Sequence, residues 1–285
     1  MSTRFGVIGC GYVGMSFAMF ARRRGFEVTG TTTSPMRLQE LCDVVDHPRI
    51  CRAGDPSADF SFLDQLDGLL IAIAPTDSPE ANTYENVFAS GVSAIVDAIS
   101  KRRSQKPLHV TYLSSAGVYG DQSGKMTNEL SLPDRSDPTN SLLVAAEESV
   151  LSLNSKSIQA CVLRLGGIYG PGKDIQNHIK SAAGQHVAKN GNHRNAWVHL
   201  FDIISGVFFC YDRKLDGIFN LVDEMQMSRR ELANSLCEQD GLPPVIWENH
   251  DRPGTRIFNA RVSNDRIKSH GFKFKVPSMM DQVPV

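Results

Sequence analysis

The first residues with chemistry to offer are glycines. Gly9, Gly11 and Gly14 stand in the spacing G-x-G-x-x-G, straight after the apolar run Phe5 to Ile8. Glycine is needed there for three separate reasons: a tight turn at Gly9, close backbone approach to a pyrophosphate at Gly11, and close packing of helix on strand at Gly14. The N–H groups at the start of the following helix, around Tyr12 and Val13, would then face the phosphates. A tight turn with no ligand is the plainer alternative, and the position between a strand and a helix argues against it. After the second strand comes a run of hydroxyls, Thr31-Thr32-Thr33-Ser34, with Arg37 close behind. An acidic residue should stand here to accept hydrogen bonds from an adenosine ribose, and none does; Glu27 comes too early. A carboxylate would repel a 2′-phosphate, whereas Thr32, Thr33, Ser34 and Arg37 would not, so NADP is favoured over NAD. The alternative is that Thr32 and Ser34 only cap the next helix.

Further groups can do acid–base or electrophilic work. Ser115, in Ser114-Ser115-Ala116-Gly117-Val118-Tyr119-Gly120, could hydrogen-bond a carbonyl oxygen, but a serine alone is no proton reservoir. Tyr119 is a candidate partner for it, with packing as the competing role. Lys173 reads as a solvated loop lysine or as a replacement cation, and His178 and His199 can titrate. No spacing supports a Ser-His-Asp triad or a metal site.

These residues need an α/β frame to bring them together. Apolar runs at Phe5–Ile8, Gly68–Ala74, Leu108–Leu113 and Gln159–Leu165 read as strands buried on both faces. Between them Tyr12–Arg24, Pro35–Cys42, Tyr84–Ser100 and a stretch from Thr139 or Asn140 to about Leu153 repeat apolar residues at helical spacing. The alternation predicts a Rossmann-type, doubly wound parallel sheet over residues 1–165 and a smaller C-terminal substrate lobe over 166–285. The stretch 198–222 is expected to return to the first domain. Ala74 and Pro75 end a strand on the side where open sheets bind ligands, with Thr76 to Pro79 as the loop that follows. In the lobe, Ile175–Val187 and Ser263–Ser269 read as helices, and Ser228 with Glu231 as a capping box.

Lys plus Arg number 30 and Asp plus Glu 31 in 285 residues, a net charge of -1 that gives no electrostatic case for nucleic acid. Lys101-Arg102-Arg103 reads as a solvated helix end. No apolar run approaches a membrane helix, and the chain opens almost directly on a strand, so no membrane partner and no signal peptide are expected. Six scattered cysteines with no C-x-x-C pair suit a reducing cytoplasm.

Taken in order, the motifs resemble the extended short-chain dehydrogenase/reductases, the nucleotide-sugar epimerases and dehydratases. Gly9, Gly11 and Gly14 match that family's cofactor loop. Ser114 to Gly120 resembles its S-S-x-x-V-Y-G segment, with Ser115 at the catalytic serine. Arg164 with Tyr169-Gly170-Pro171-Gly172 is similar to its R-x-x-x-x-Y-G-P-G segment, which implies cofactor contacts from Ser114, Gly167 and Tyr169. Val198 to Asp202, Arg252-Pro253-Gly254 and Gly271-Phe272 resemble later elements. The departure is the Tyr-x-x-x-Lys pair, whose tyrosine is the acid or base and whose lysine lowers the tyrosine pKa. Asn140 and Val144 stand at those positions, or Thr139 and Leu143 one residue earlier. Losing the pair while opening this helix on T-N-S is most similar to the atypical group that includes the YeeZ proteins.

Two functions stay open on this reading. One is an NAD(P)-dependent oxidoreductase or epimerase acting on a small carbonyl or nucleotide-sugar-like substrate with a non-standard acid–base group. The other is a dinucleotide-binding redox sensor or regulatory protein without turnover. The resemblance also implies a homodimer through the helices Tyr84–Ser100 and Thr139–Leu153.

Overall fold

The computed structural model describes residues 2–75, 83–252 and 254–281. The loop expected at Thr76 to Pro79, and Pro253 of the R-P-G element, lie outside the described residues. The chain forms strands β1 (Arg4–Ile8), β2 (Glu27–Thr32), β3 (His47–Ile50), β4 (Gly68–Ile71), β5 (Leu108–Ser115), β6 (Asp121–Thr127), β7 (Ile158–Leu165), β8 (Gly167–Tyr169), β9 (His186–Asn190), β10 (Trp197–His199), β11 (Gly217–Leu221), β12 (Ile246–Glu248) and β13 (Asn259–Val262). The helices are α1 (Tyr12–Arg23), α2 (Leu38–Cys42), α3 (Val92–Ser100), α4 (Pro138–Leu151), α5 (Ile175–Lys180), α6 (Leu200–Arg213), α7 (Arg229–Gln239) and α8 (Asp265–Ser269). A π-helical stretch, Glu85–Gly91, leads into α3.

Seven strands form one sheet in the order β11-β7-β5-β4-β1-β2-β3. β1 pairs in parallel with both β2 and β4, and β4 in parallel with β5. The chain moves outward from β1 to β3, then returns to the other side of β1 with β4. That reversal makes the carboxyl end of β1 a topological switch point, where doubly wound sheets take their ligands. The Rossmann-type sheet read from the sequence is therefore the fold.

Contacts divide the chain into two units: residues 1–114, 141–163 and 204–218, and residues 115–140, 164–203 and 219–285. The sequence suggested one boundary at residue 165 with a return over 198–222; these units are more finely interleaved. The chain changes unit five times, within β5, β7 and β11 and at or near the starts of α4 and α6. A parallel sheet hands its chain to loops at the same edge after each strand, so the second unit draws on several loops rather than on one C-terminal piece.

In the first unit α1 buries Val13, Phe17, Ala18 and Ala21, places Arg22 and Arg23 in its last turn, and stops where Gly25 takes φ 84°. Phe5, Phe17, Phe26, Phe208 and Tyr211 form an aromatic cluster with ring centroids 4.7 to 6.0 Å apart. That contact holds the part of α6 from Ile204 on in this unit. Helix α4 is capped not by Thr139 or Asn140 but by Asp137, whose Oδ1 accepts the Asn140 N–H at 3.1 Å, with Pro138 in the first turn where a missing N–H costs nothing.

The second unit is built from short parallel pairs, β8 with β10, β9 with β12 and β6 with β13. Its core gathers Tyr169, Met225, Leu232, Leu236, Val276 and Met279. The capping box of α7 forms as read: Ser228 accepts from the Glu231 N–H, and Glu231 accepts from the Ser228 N–H. The helix expected over Ile175–Val187 ends at Lys180, because Val187 joins β9 and pairs there with Trp247 of β12. Strands β3, β6, β9 and β13 were not expected; β3, β6 and β9 carry no clean apolar alternation, and β13, though it alternates, spans only four residues.

Candidate functional site

The first unit carries the glycine loop. Gly9 takes φ 96°, and a Cβ there would lie 2.7 Å from the Ala72 carbonyl oxygen. A Cβ on Gly14 would lie 2.1 Å from the Gly9 carbonyl oxygen. Both glycines are therefore demanded by the backbone itself. Gly11 differs, because a Cβ there would meet nothing within 4 Å. The protein's own packing gives no reason for glycine at 11, and an approaching pyrophosphate does. The loop is held from below, with Gly9 N–H donating to Thr31 Oγ1 at 3.1 Å and Cys10 N–H to the Thr31 carbonyl at 2.8 Å. The α1 N-terminus has no side-chain cap and no acidic residue in its first turn, so its N–H groups stay available to an anion. Tyr12 is half-buried and Val13 packs inward. The residues present thus fit a dinucleotide.

Burial pushes the Cys10 thiol up to about 12, so it stays protonated and is not a nucleophile; the charge of Arg37 acts on it in the opposite direction. Arg37 pairs with Glu40 at 3.2 Å across an exposed face. Thr32 is buried and its Oγ1 accepts from the Ser34 N–H, while Thr33 is exposed and Ser34 makes no helix-capping bond. Glu27 sits at the start of β2 and is occupied by Arg4 and His47, so no carboxylate replaces the missing ribose acceptor. Ala74 is exposed and Pro75 half-buried; β4 ends before them, at Ile71. The Ser114 hydroxyl donates to Glu147 Oε1 at 2.6 Å, both groups being buried.

The second unit carries the segment from Ser115. Ser115 closes β5 and its Oγ accepts the Gly117 N–H at 3.0 Å. Its own O–H proton has no acceptor among the described residues. Tyr119 is fully buried: its hydroxyl donates to Asn220 Oδ1 at 2.9 Å, and the Arg164 guanidinium lies over its ring at 4.9 Å. A phenol enclosed in this way cannot reach a substrate, and the catalytic expectation for Tyr119 is not kept. Tyr169 is likewise buried, donating to Asp223 Oδ2 at 3.0 Å. Burial raises the Asp223 carboxyl to about 8, and burial with the Asp223 charge raises Tyr169. His199 is buried and held low by desolvation, with Nδ1 accepting the Phe201 N–H, a structural histidine. Gly167 is needed for packing, because a Cβ there would lie 2.8 Å from the Trp197 ring.

On α4, Asn140 and Val144 stand where the titrating pair was expected, and both are buried, at 0% and 3% exposure. The Arg256 guanidinium donates to Asn140 Oδ1 through both Nε, at 2.9 Å, and Nη2. Sequence reasoning missed Arg256. It stands shortly after Arg252 of the R-P-G element, and nothing in the pattern ties it to α4, 116 positions earlier. A separate cavity of about 360 Å³ lies among Ile179, Val187, Trp197, Leu232 and Trp247, with Lys189 and Arg229 among its polar walls. Among the described residues no cluster of His, Cys, Asp or Glu could hold a metal ion, and no helix is long and apolar enough to cross a membrane.

The profile of the NAD dependent epimerase/dehydratase family matches residues 7–221, which span the glycine loop, Ser115 and the strands of the seven-stranded sheet. The chain belongs to that family. Within the epimerase/dehydratase family it is similar to Protein YeeZ of Escherichia coli strain K12, 26% identical over 278 residues that cover 95% of both chains. It is similar in fold to a functionally unknown conserved protein from Silicibacter pomeroyi DSS, with TM-score 0.76 and 23% identity over 97% of this chain and 95% of that one. The UDP-glucose 4-epimerase of Thermus thermophilus, solved as a complex with NAD, matches with TM-score 0.75 and 18% identity over 96% of this chain and 94% of that one. Membership of the epimerase/dehydratase family accounts for the switch-point loop and for the serine at the end of β5. Helix α4 holds neither tyrosine nor lysine.

Proposed function

We propose that the protein is an NADP-binding oxidoreductase or epimerase whose substrate is a small carbonyl or nucleotide-sugar-like compound. The observation that carries this reading is Gly11, a glycine with open space around it at the head of α1, beside two that the backbone demands. Gly9, Gly11, Gly14 and the first N–H groups of α1 would hold the pyrophosphate, and Thr33, Ser34 and Arg37 would hold a 2′-phosphate. The dinucleotide would supply or accept hydride at the nicotinamide. Ser115 would hydrogen-bond the reacting oxygen of the substrate through its O–H, since its Oγ already accepts from Gly117, and the proton that this oxygen loses or gains as hydride moves would pass to or from water. The cavity beside Trp197 and Trp247 supports a substrate with a planar ring, with Lys189 in its wall beside Arg229, whose charge Asp251 already pairs.

A second reading is favoured by one observation: the two positions of the missing pair are not merely replaced but buried. On that reading the protein binds the dinucleotide as a sensor and turns nothing over.

Titration with NADPH and NADH, followed by nicotinamide fluorescence, tests the cofactor. Tighter NADPH binding by about tenfold is expected, and equal affinity removes the preference. Incubation with UDP-glucose, UDP-glucuronic acid and a panel of simple carbonyl compounds tests turnover. Consumption of any one ends the sensor reading, and Ser115→Ala should then lower kcat by about a hundredfold with NADPH affinity intact.

A further inference from the structure

The strongest unexplained group lies in the second unit, where a cation from the C-terminal part of the chain meets the helix that has lost its catalytic pair. Asn140 is fully buried, and its Oδ1 accepts twice from the Arg256 guanidinium. Its Nδ2, also buried, has no partner among the described residues. A buried amide half satisfied in this way costs stability, and such groups persist where function needs them. Arg256 is exposed overall, yet its head is fixed. A Cβ on Gly117 would lie 2.6 Å from Arg256 Nη2 and 3.0 Å from Ser115 Oγ, so the guanidinium and the serine hydroxyl flank one point. Glycine at 117 leaves room for the guanidinium to lie there.

The partner that holds Arg256 is neutral. Among the described residues no carboxylate pairs with this guanidinium. An arginine fixed by an amide keeps its whole charge, and its remaining N–H groups form a planar donor set suited to a carboxylate or a phosphate. Arginine pairs elsewhere in the same unit show the contrast: Arg229 is closed by Asp251 at 2.9 Å.

We propose that Arg256, positioned by Asn140 beside Ser115, binds an anionic oxygen group of the substrate, a carboxylate or a phosphate. This rests on the reading of Ser115 as the group facing the substrate. The residue at the lost tyrosine position thereby becomes a positioning residue. It holds a cation instead of moving a proton, and the substrate is an anion close to its reacting carbon.

The test needs no turnover. The full-length protein is titrated with sodium acetate and, separately, with inorganic phosphate at constant ionic strength. The Arg256 Nε–H resonance is followed, assigned by its loss in Arg256→Gln. A saturable shift is expected with at least one anion at millimolar concentration, and the anion that saturates first distinguishes carboxylate from phosphate. Asn140→Asp places a carboxylate against the guanidinium and should weaken that binding at least about tenfold; Arg256→Lys should keep part of it. Arg256→Gln leaves the buried Asn140 oxygen without its donors and should lower the melting temperature, so every variant is titrated well below its own midpoint, and Arg256→Lys, which can still donate to that oxygen, controls for the loss. No saturable shift with either anion overturns the proposal, as does unchanged affinity in Asn140→Asp. NADPH titration of the same samples separates the two failures. Cofactor binding without anion binding sinks this proposal alone, while anion binding without any cofactor binding sinks the enzyme reading and leaves Arg256 an anion site.

Discussion

The loop at the end of β1 and the segment from Ser115 to α4 treat the same family heritage in opposite ways. In the loop every motif residue is kept, and two of the three glycines are enforced by the backbone around them, at 2.7 and 2.1 Å from carbonyl oxygens. Around Ser115 the serine is kept, but the groups that would titrate beside it are gone or sealed. Tyr119 is fully buried against Asn220, and Asn140 is fully buried against Arg256. A phosphate-binding turn is a backbone device and tolerates little change, because its donors are N–H groups whose directions depend on φ and ψ. An acid–base pair is a side-chain device and can be lost one residue at a time while the fold stands. The chain has thus kept the part that its own folding protects.

Gly14→Ala should break the first half of this contrast most severely. The added methyl would overlap the Gly9 carbonyl, and overpacking of this kind costs about 3 kcal/mol or more, read as a lower urea midpoint together with lost NADPH binding. A mild effect would mean that the loop yields. Asp223 supplies the next largest effect. Its carboxyl is raised to about 8 when folded, against about 4 unfolded, so between those values the folded chain holds a proton that the unfolded chain has released. Stability should therefore fall as pH rises from about 4 to about 8 and level off above, and Asp223→Asn should flatten that slope in melts at several pH values. Tyr119→Phe strands the buried Asn220 oxygen and should cost about 1–3 kcal/mol, with any turnover unchanged. A large loss of kcat without a loss of stability would return Tyr119 to catalysis. Gly11→Ala is the smallest in stability, within about 1 kcal/mol, because its methyl enters open space at a helix N-cap. It should still weaken NADPH about tenfold, which makes it the sharpest separation of ligand from packing. Last, iodoacetamide at pH 8 should modify exposed Cys42 and spare buried Cys10, as peptide mapping would show.

Much of the fold was legible because its strands are buried on both faces. Phe5 to Ile8 and Gly68 to Ile71 are continuous apolar runs, Leu108 to Leu113 is broken only by His109 and Thr111, and glycines and caps mark the helices between them. Strands β6, β9 and β13 were not legible. Their pairing is with distant segments, and half-exposed short strands carry little pattern of their own. The hydroxyls of Ser114 and Ser115 look alike in sequence, yet one is tied to Glu147 and the other has its proton free.

The linear order of residues determined the sheet, the switch-point loop and the absence of tyrosine and lysine from α4, since each depends on local spacing or on what a short stretch contains. Tertiary structure decided which glycines the backbone demands and which one faces open space, because the room around Gly11 is a property of everything that does not come near it. It also decided that Asn140 meets Arg256, a contact across 116 positions. No local pattern encodes such a meeting; it exists only once the strands have placed both segments in one unit.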